Sequence, residues 1–546
     1  MSAVSGVFRV PMRMGEWLDD RMNPIVVKEL RQAVKSRFVI AVLMLMLSLL
    51  FIILAGVLFS QDQNRGIDED AGAQLFLVFQ SILLATCMLF VPVYVGVRLA
   101  AERSSATSDL LYVTTIRPSS IVWGKLLAGM VVTALTFSAC APFMVITYLL
   151  RGIDLPTILF ILGLDALIVL AATQLAIFVG TMPIGWPVKT LLGLILLAVM
   201  VGGFVSMTTW VSFSMLGFGV GSFMADPDDW LGLAVFVGSW LAVLAMLFFL
   251  SVAMISPPTA NRALVPRAYF TVVLAATFVG FVYLTSYWGE IEILGVWLGG
   301  AMTFLILAAV LSASERENLG PRLKRTIPRI GVLRAPAFLF YSGAGGGLLW
   351  VGLLSWLALL AVAIAKGVFE AASFAGGGYY GSFMDAWFVR CASTMLWVFG
   401  YLLLAVIICR RLIRMKNGGV VTGVVGLIIM AAVSIVPMII AFALDPDRWD
   451  FNPEVWLLLN PFGPVFCDDS DWNSTYGTLA LPLSVILFGV TLVVNIPWFL
   501  RQMRGFTPPP LSPAESALGP GVTQGLTDRE MGSDAGRSET AGLTDG

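Results

Sequence analysis

Runs of roughly twenty apolar residues, separated by short polar or charged breaks, recur between residues 39 and 500, and a run of that length crosses a hydrocarbon layer of about 30 Å as a helix. The pattern predicts spans near 39–59, 76–98, 122–149, 155–180, 189–211, 230–255, 268–287, 293–313, 346–365, 387–409, 418–444 and 478–500, twelve in all. The fifth run merges into a Gly- and Ser-rich stretch at 202–222, and the seventh and eighth are parted by little more than Gly289. Gly and Pro inside the runs are tolerated because neighbouring helices satisfy the freed backbone groups. The predicted fold class is an all-α, polytopic membrane bundle.

Two polar segments depart from this monotony. Ahead of the first span, Asn23 followed by Pro24 makes a good helix start, an N-cap with proline at the first helical position. Beyond it Val26, Leu30, Ala33 and Val34 fall on one helical face and Lys28, Arg31, Gln32 and Lys35 on the other. That is a basic amphipathic helix suited to the membrane interface, or simply a positive anchor for the first span. The first apolar run begins only near residue 39 and is long, so a cleavable signal peptide is not expected. Between the second and third spans the chain reads AERSSATSDLLYVTTIRPSSIVWGK, Ala101 to Lys125. A Ser/Thr-rich entry, one amphipathic stretch (Asp109, Leu110, Leu111, Tyr112, Val113) and a restart at Pro118-Ser119-Ser120 predict a short helix at the water boundary, placed where a partner can push on it. From Phe506 onward the Pro508-Pro509-Pro510 start and the Gly/Ser/Thr content predict a disordered tail with no catalytic role. The expected order is therefore an N-terminal segment 1–38, a six-span region 39–255 with its loop at 99–121, a second six-span region 256–500 and a tail 501–546.

Composition and charge sharpen the picture. Hydrophobic residues make up 58% of the chain and charged residues 12%, about half the charged fraction of an ordinary soluble domain. If both termini are cytoplasmic, all but Arg65, Arg151, Lys366, Arg390 and Arg448 of the 33 Lys and Arg lie on the inner side. A bias of that size orients the chain in the plasma (inner) membrane. The outer loops are acidic (Asp68, Glu69, Asp70; Asp226, Asp228, Asp229; Asp468, Asp469, Asp471), so the net charge of −1 conceals a dipole across the bilayer.

Absent residues prune the chemistry. No His occurs, which removes His-dependent triads, most zinc and haem sites and the usual proton shuttle. The five cysteines at 87, 140, 391, 409 and 467 show no paired spacing, so neither a disulfide frame nor a metal cluster is indicated. No phosphate-binding loop occurs, since Gly124-Lys125 lacks the upstream glycine and the following hydroxyl residue. No catalytic residue, metal ligand or nucleic-acid site is predicted. Asp165, in the middle of the fourth span, is an ionisable group where one is costly; it either lines a transport path or makes a structural hydrogen bond to Thr173, Gln174 or a neighbouring span. Arg390 is expected to snorkel to the outer interface. The outer loop Asp445 to Gly477, with Trp449, Trp456 and Trp472, reads as an interfacial cap or an exit gate. Asp468, Asp469 and Asp471 lack the Gly and distal Glu of a calcium loop, and Asn473-Ser474-Thr475 matches a glycosylation acceptor.

NPIVVKELRQAVKSR before the first span and ERSSATSDLLYVTTIRPSSIVWGKLL between the second and third, in that order and on one side of the membrane, resemble the permease subunits of type-2 ATP-binding-cassette exporters over roughly residues 22–255. The resemblance implies an elbow helix carrying Asn23, Pro24, Lys28, Arg31 and Lys35, and a coupling helix from Thr107 to Ile116. In it Thr107 or Ser108 would cap, Asp109 would sit at the positive end of the dipole, and Leu110, Leu111 and Tyr112 would face an ATPase. It also implies that ATP and Mg bind the partner ATPase subunit, that this chain holds no cofactor and is not itself an enzyme, and that a homodimer or a second permease can complete the transporter. After residue 255 the chain departs from the family pattern: six more spans follow with no second NPxxxKELRQ, and Pro321, Pro328 and Pro336 break the periodicity of the basic stretch 314–340. The second region is a degenerate permease half or an accessory bundle. The rival readings are an ion- or proton-coupled secondary transporter, for which Asp165 is the only acid deep in a span, and an enzyme acting on lipid-linked substrates, which the missing His disfavours.

Overall fold

The computed structural model describes residues 24–60, 71–104, 117–150, 153–182, 185–213, 227–257, 259–374, 382–413, 419–444, 458–466 and 475–509. No strand occurs among them, and twelve of their helices are long and apolar enough to cross a membrane. The short N-terminal helix is α1 (Pro24–Val34). The spans that follow are α2 (Arg37–Ser60), α3 (Ala71–Ser104), α4 (Pro118–Leu149), α5 (Leu155–Thr181), α6 (Trp186–Phe213), α7 (Pro227–Ile255), α8 (Leu264–Trp288) and α9 (Glu292–Ala313). Two short helices, α10 (Pro321–Arg325) and α11 (Gly331–Phe340), precede α12 (Ala344–Phe374). The series ends with α13 (Ser382–Ile407), α14 (Gly419–Leu444), the single turn α15 (Gly463–Phe466) and α16 (Thr475–Gly505). The chain forms two compact units, one of Met1–Pro258 and Arg262–Leu284 and one of Thr259–Asn261 and Thr285–Gly546.

In the first unit α3 packs most extensively on α5, then on α4; α1 lies on α4, and α6 and α7 pack against α5. Lipid is as apolar as leucine, so helices in it associate through close contact at small residues rather than through the hydrophobic effect. The α3–α5 seam shows this. A Cβ on Gly96 would lie 3.1 Å from the Ala176 Cβ, and one on Gly180 would lie 3.0 Å from the Gly96 carbonyl oxygen. On α4, a Cβ at Gly129 would come within 2.8 Å of the Thr173 methyl. Around this contact Phe76, Phe79, Leu83, Leu84, Cys87, Val91, Val132, Cys140, Ile161 and Val169 form the buried core, while α2 turns Leu45, Ile52 and Phe59 outward.

In the second unit the most buried span is α13, which packs on α16, α9 and α14, and α9 packs on α12. Trp397 is fully buried and stacks on Tyr401, whose hydroxyl donates to the Leu459 carbonyl at 2.6 Å. The Asn495 amide donates to the Leu403 carbonyl at 3.0 Å, and Trp387 Nε1 donates to that of Gly295 at 3.0 Å. α13 passes directly into a π-helical segment, Ile408–Leu412. Of the prolines of 314–340, Pro321 sits at the start of α10, where its missing N–H costs nothing, Pro328 lies in the break that separates α10 from α11, and α11 accommodates Pro336 within it. Arg390, in the third turn of α13, is 4% exposed, its side chain packed against protein rather than spread over the surface.

The tight seam gives a direct test. Gly180→Val is expected to lower stability by about 1–3 kcal/mol through overpacking, seen as a reduced thermal midpoint in detergent. Gly163→Val on the same helix, where nothing lies within 4 Å, serves as the matched control with a smaller loss.

Candidate functional site

The described residue nearest the N-terminal side of the break between α3 and α4 is Ser104, and α4 restarts at Pro118. One turn or two inside each end, the two helices meet α1 in a cluster of charges. Lys125 of α4, 3% exposed, places Nζ 2.7 Å from Glu102 Oε2 on α3 and 3.2 Å from Glu29 Oε1 on α1. Arg98, one turn before Glu102, reaches both acids from the other side, with Nε 3.7 Å from Glu102 Oε1 and 3.9 Å from Glu29 Oε2. Its Nη1 donates to the Tyr94 hydroxyl at 2.8 Å and its Nη2 to Gln32 Oε1 on α1. Two cations and two carboxylates therefore alternate, and the cluster is neutral as a whole. An ammonium as buried as Lys125 would be untenable alone, and the two acids, from two different helices, make its burial possible.

The local sequence explains the convergence. Glu29 lies one helical turn before Ala33, which is 1% exposed, so α1 turns this acid inward while Lys28, Arg31 and Lys35 stay exposed. Beneath the charges Val95, Leu99, Val122, Leu126 and Ile177 form a dry floor, with Phe248, Val252 and Ile255 of α7 against it. The structure joins Glu102 and Lys125, at the two ends of the polar segment 101–125, and adds Glu29, Gln32, Tyr94 and Arg98. An acid on the inward face of an otherwise basic helix was the signal for Glu29. Asn23 and the whole of Thr107 to Ile116, including Ser108, Asp109, Leu110, Leu111 and Tyr112, lie outside the described residues, as does the Pro24 side chain.

A second polar contact lies deep in the same unit. Asp165 of α5 and Gln80 of α3 are both fully buried, and Gln80 Nε2 donates to both carboxylate oxygens, at 3.0 and 3.1 Å. The partner of Asp165 is thus on the neighbouring span. Thr173 instead bonds the Val169 carbonyl of its own helix, and Gln174 donates to Ser251 of α7 at 3.2 Å. Gln80 Oε1 and Gln174 Oε1 are buried without a partner.

No protein-family model, curated protein or solved structure matches the chain. The twelve apolar helices among the described residues make it a multi-pass membrane protein of transporter-like build.

Both polar contacts can be tested by leaving one partner stranded. Lys125→Met removes the buried cation and leaves Glu29 and Glu102 to share Arg98 alone, and is expected to cost about 3–5 kcal/mol; Glu102→Gln, on a side chain 41% exposed, is expected to cost no more than about 1 kcal/mol. For the deeper pair, Gln80→Leu is expected to destabilise by about 3 kcal/mol or more, and Gln80→Leu with Asp165→Leu to recover most of that loss. Thermal unfolding in detergent reads both series, and additive losses in the second would show that the two side chains are not coupled.

Proposed function

We propose that the chain is the membrane permease of an ATP-driven transporter, an exporter, and that it receives its mechanical input from a separate ATP-binding-cassette ATPase subunit. The observation that carries this reading is the Glu29–Arg98–Glu102–Lys125 cluster, which ties the ends of α3 and α4 to α1 beside the segment that joins them. A short segment pushed by a partner transmits motion only if its two ends cannot yield separately. Here the two ends are clamped to each other and to an interfacial helix through charge-assisted contacts, so a force on 105–117 moves α1, α3 and α4 together. The resemblance of the strings around Asn23 and Thr107 to type-2 exporters points the same way.

In this mechanism ATP and Mg bind the partner, and its closure presses on Leu110, Leu111 and Tyr112. The α3–α5 seam, held by Gly96 and Gly180, carries that displacement into the span that bears Asp165. The substrate path runs among the spans, with access alternating between the two sides of the plasma membrane; both termini are cytoplasmic, and a second permease or another copy can complete the transporter.

One observation favours a second reading. A fully buried carboxylate held by a single amide, with the amide oxygen unpartnered, is what an intramembrane proton or ion site would contain, and on that reading the chain is a secondary transporter.

Leu110→Asp and Leu111→Asp are expected to abolish co-purification of the ATPase while leaving membrane insertion intact; retention of the ATPase by both variants would sink the coupling role. Transport that survives Asp165→Asn with an unchanged pH profile would remove the second reading.

A further inference from the structure

The stretch between α9 and α12 is the most lopsided in charge among the described residues of the second unit. Between Arg316 and Arg334 it holds six basic residues, Arg316, Arg322, Lys324, Arg325, Arg329 and Arg334, against one acid, Glu317. It is also firmly seated. Leu323 and Ile327, four residues apart, are 5% and 3% exposed and anchor α10 and the turn after it. Tyr341 donates to the Thr326 carbonyl at 2.6 Å, and Asn261 bonds the Phe340 carbonyl and the Ser342 amide at 3.2 and 3.1 Å. Arg334 is turned back onto the carbonyls of Pro328 and Arg329. The two nearby acids point inward as well: Glu315 accepts from the Gly343 amide at 2.6 Å, and Glu317 faces Arg410 of the π segment at 3.8 Å. What remains outward is Arg316, Arg322, Arg325 and Arg329, all exposed on a fixed backbone.

Directly after this strip comes α11, a ten-residue helix that buries none of its side chains; Ile330, Val332 and Leu333 in and before its first turn are 62%, 83% and 50% exposed. The membrane-crossing helices α9 and α12 flank the whole stretch, so it must lie at the membrane boundary. Its two outward features call for opposite chemistry, an anion beside the arginines and hydrocarbon over α11. Soluble phosphate meets only the first need and a neutral lipid only the second.

We infer that this surface is a binding site for anionic phospholipid, with the headgroup phosphate held by Arg322, Arg325 and Arg329 and the acyl chains lying over α11. It is the two-signal arrangement, basic residues beside an interfacial apolar helix, that gives stable and charge-selective lipid attachment. The inference stands on the second unit alone and does not depend on the permease reading.

The test uses the purified full chain in mild detergent, with phosphatidylglycerol and phosphatidylcholine added in equal amounts and bound lipid counted by native mass spectrometry. The native chain is expected to retain phosphatidylglycerol preferentially, with the preference falling steeply as salt is raised to about 1 M, where charges are screened beyond roughly 3 Å. Arg322→Gln/Arg325→Gln/Arg329→Gln, confined to exposed side chains, is expected to weaken phosphatidylglycerol binding on the order of a hundredfold, at about one fivefold step per basic residue. Val332→Ser/Leu333→Ser is expected to lower retention of both lipids while keeping the preference. Equal retention of the two lipids by the native chain would overturn the site. So would an undiminished preference in the folded triple variant, or displacement of the lipid by millimolar inorganic phosphate.

Discussion

A buried ammonium at the meeting point of three helices governs the first unit. Lys125 cannot be where it is without a carboxylate beside it, and the two that meet it, Glu29 and Glu102, both come from other helices, so the requirement for neutrality becomes a requirement on position: α1 lies across α4, and the end of α3 comes alongside. Hydrophobic burial has no comparable directing power inside a bilayer, where an apolar side chain is as well placed against lipid as against protein. The glycine seam at Gly96 and Gly180 fixes how closely α3 and α5 approach, and the charge cluster fixes where the helix ends stop.

The second unit, taken by itself, repeats part of this plan. A short helix, α11, precedes α12, as α1 precedes α2. The next span, α13, is the most buried of its unit and packs most on the span two further along, α16; α3 stands in the same relation to α5. An arginine near the far end of that span, Arg410, faces a glutamate from ahead of the short helix, as Arg98 faces one on α1. Glycine again sets the closest approach, with a Cβ on Gly400 falling 3.0 Å from Leu487. α9 has no matching place in the first unit, since it precedes the short helix and packs on α12, α13 and α14. The two units thus share part of one helix order, each built on a central span packed against the span two further along.

Much of the fold was legible because the bilayer leaves the backbone few choices. Length and apolarity alone located all twelve spans, including the pair parted at Gly289, whose positive φ of 73° ends α8. What pattern could not supply was depth. α3 runs past its predicted end at residue 98 to Ser104, because Arg98 and Glu102 are neutralised by partners far along the sequence and so remain helical. Lys125 and Arg390 are both buried, at 3% and 4% exposure, and spacing marks neither, because burial of a cation depends on long-range neighbours that local sequence does not encode. The three prolines of 314–340 act differently: Pro321 starts α10, Pro328 lies in the break between α10 and α11, and Pro336 is held inside α11.

The π segment at Ile408–Leu412 has a bearing on how Arg410 is aimed. A π turn holds one residue more than an α turn and is a local register defect. Were the segment to tighten into α geometry, every residue after it would swing by about 100° and slide along the axis by about 1.5 Å. Arg410, now over the Trp498 ring at 5.9 Å and facing Glu317, sits within that defect. The ion pair of Arg410 with Glu317 is therefore a product of the π register, which decides where that guanidinium comes to rest.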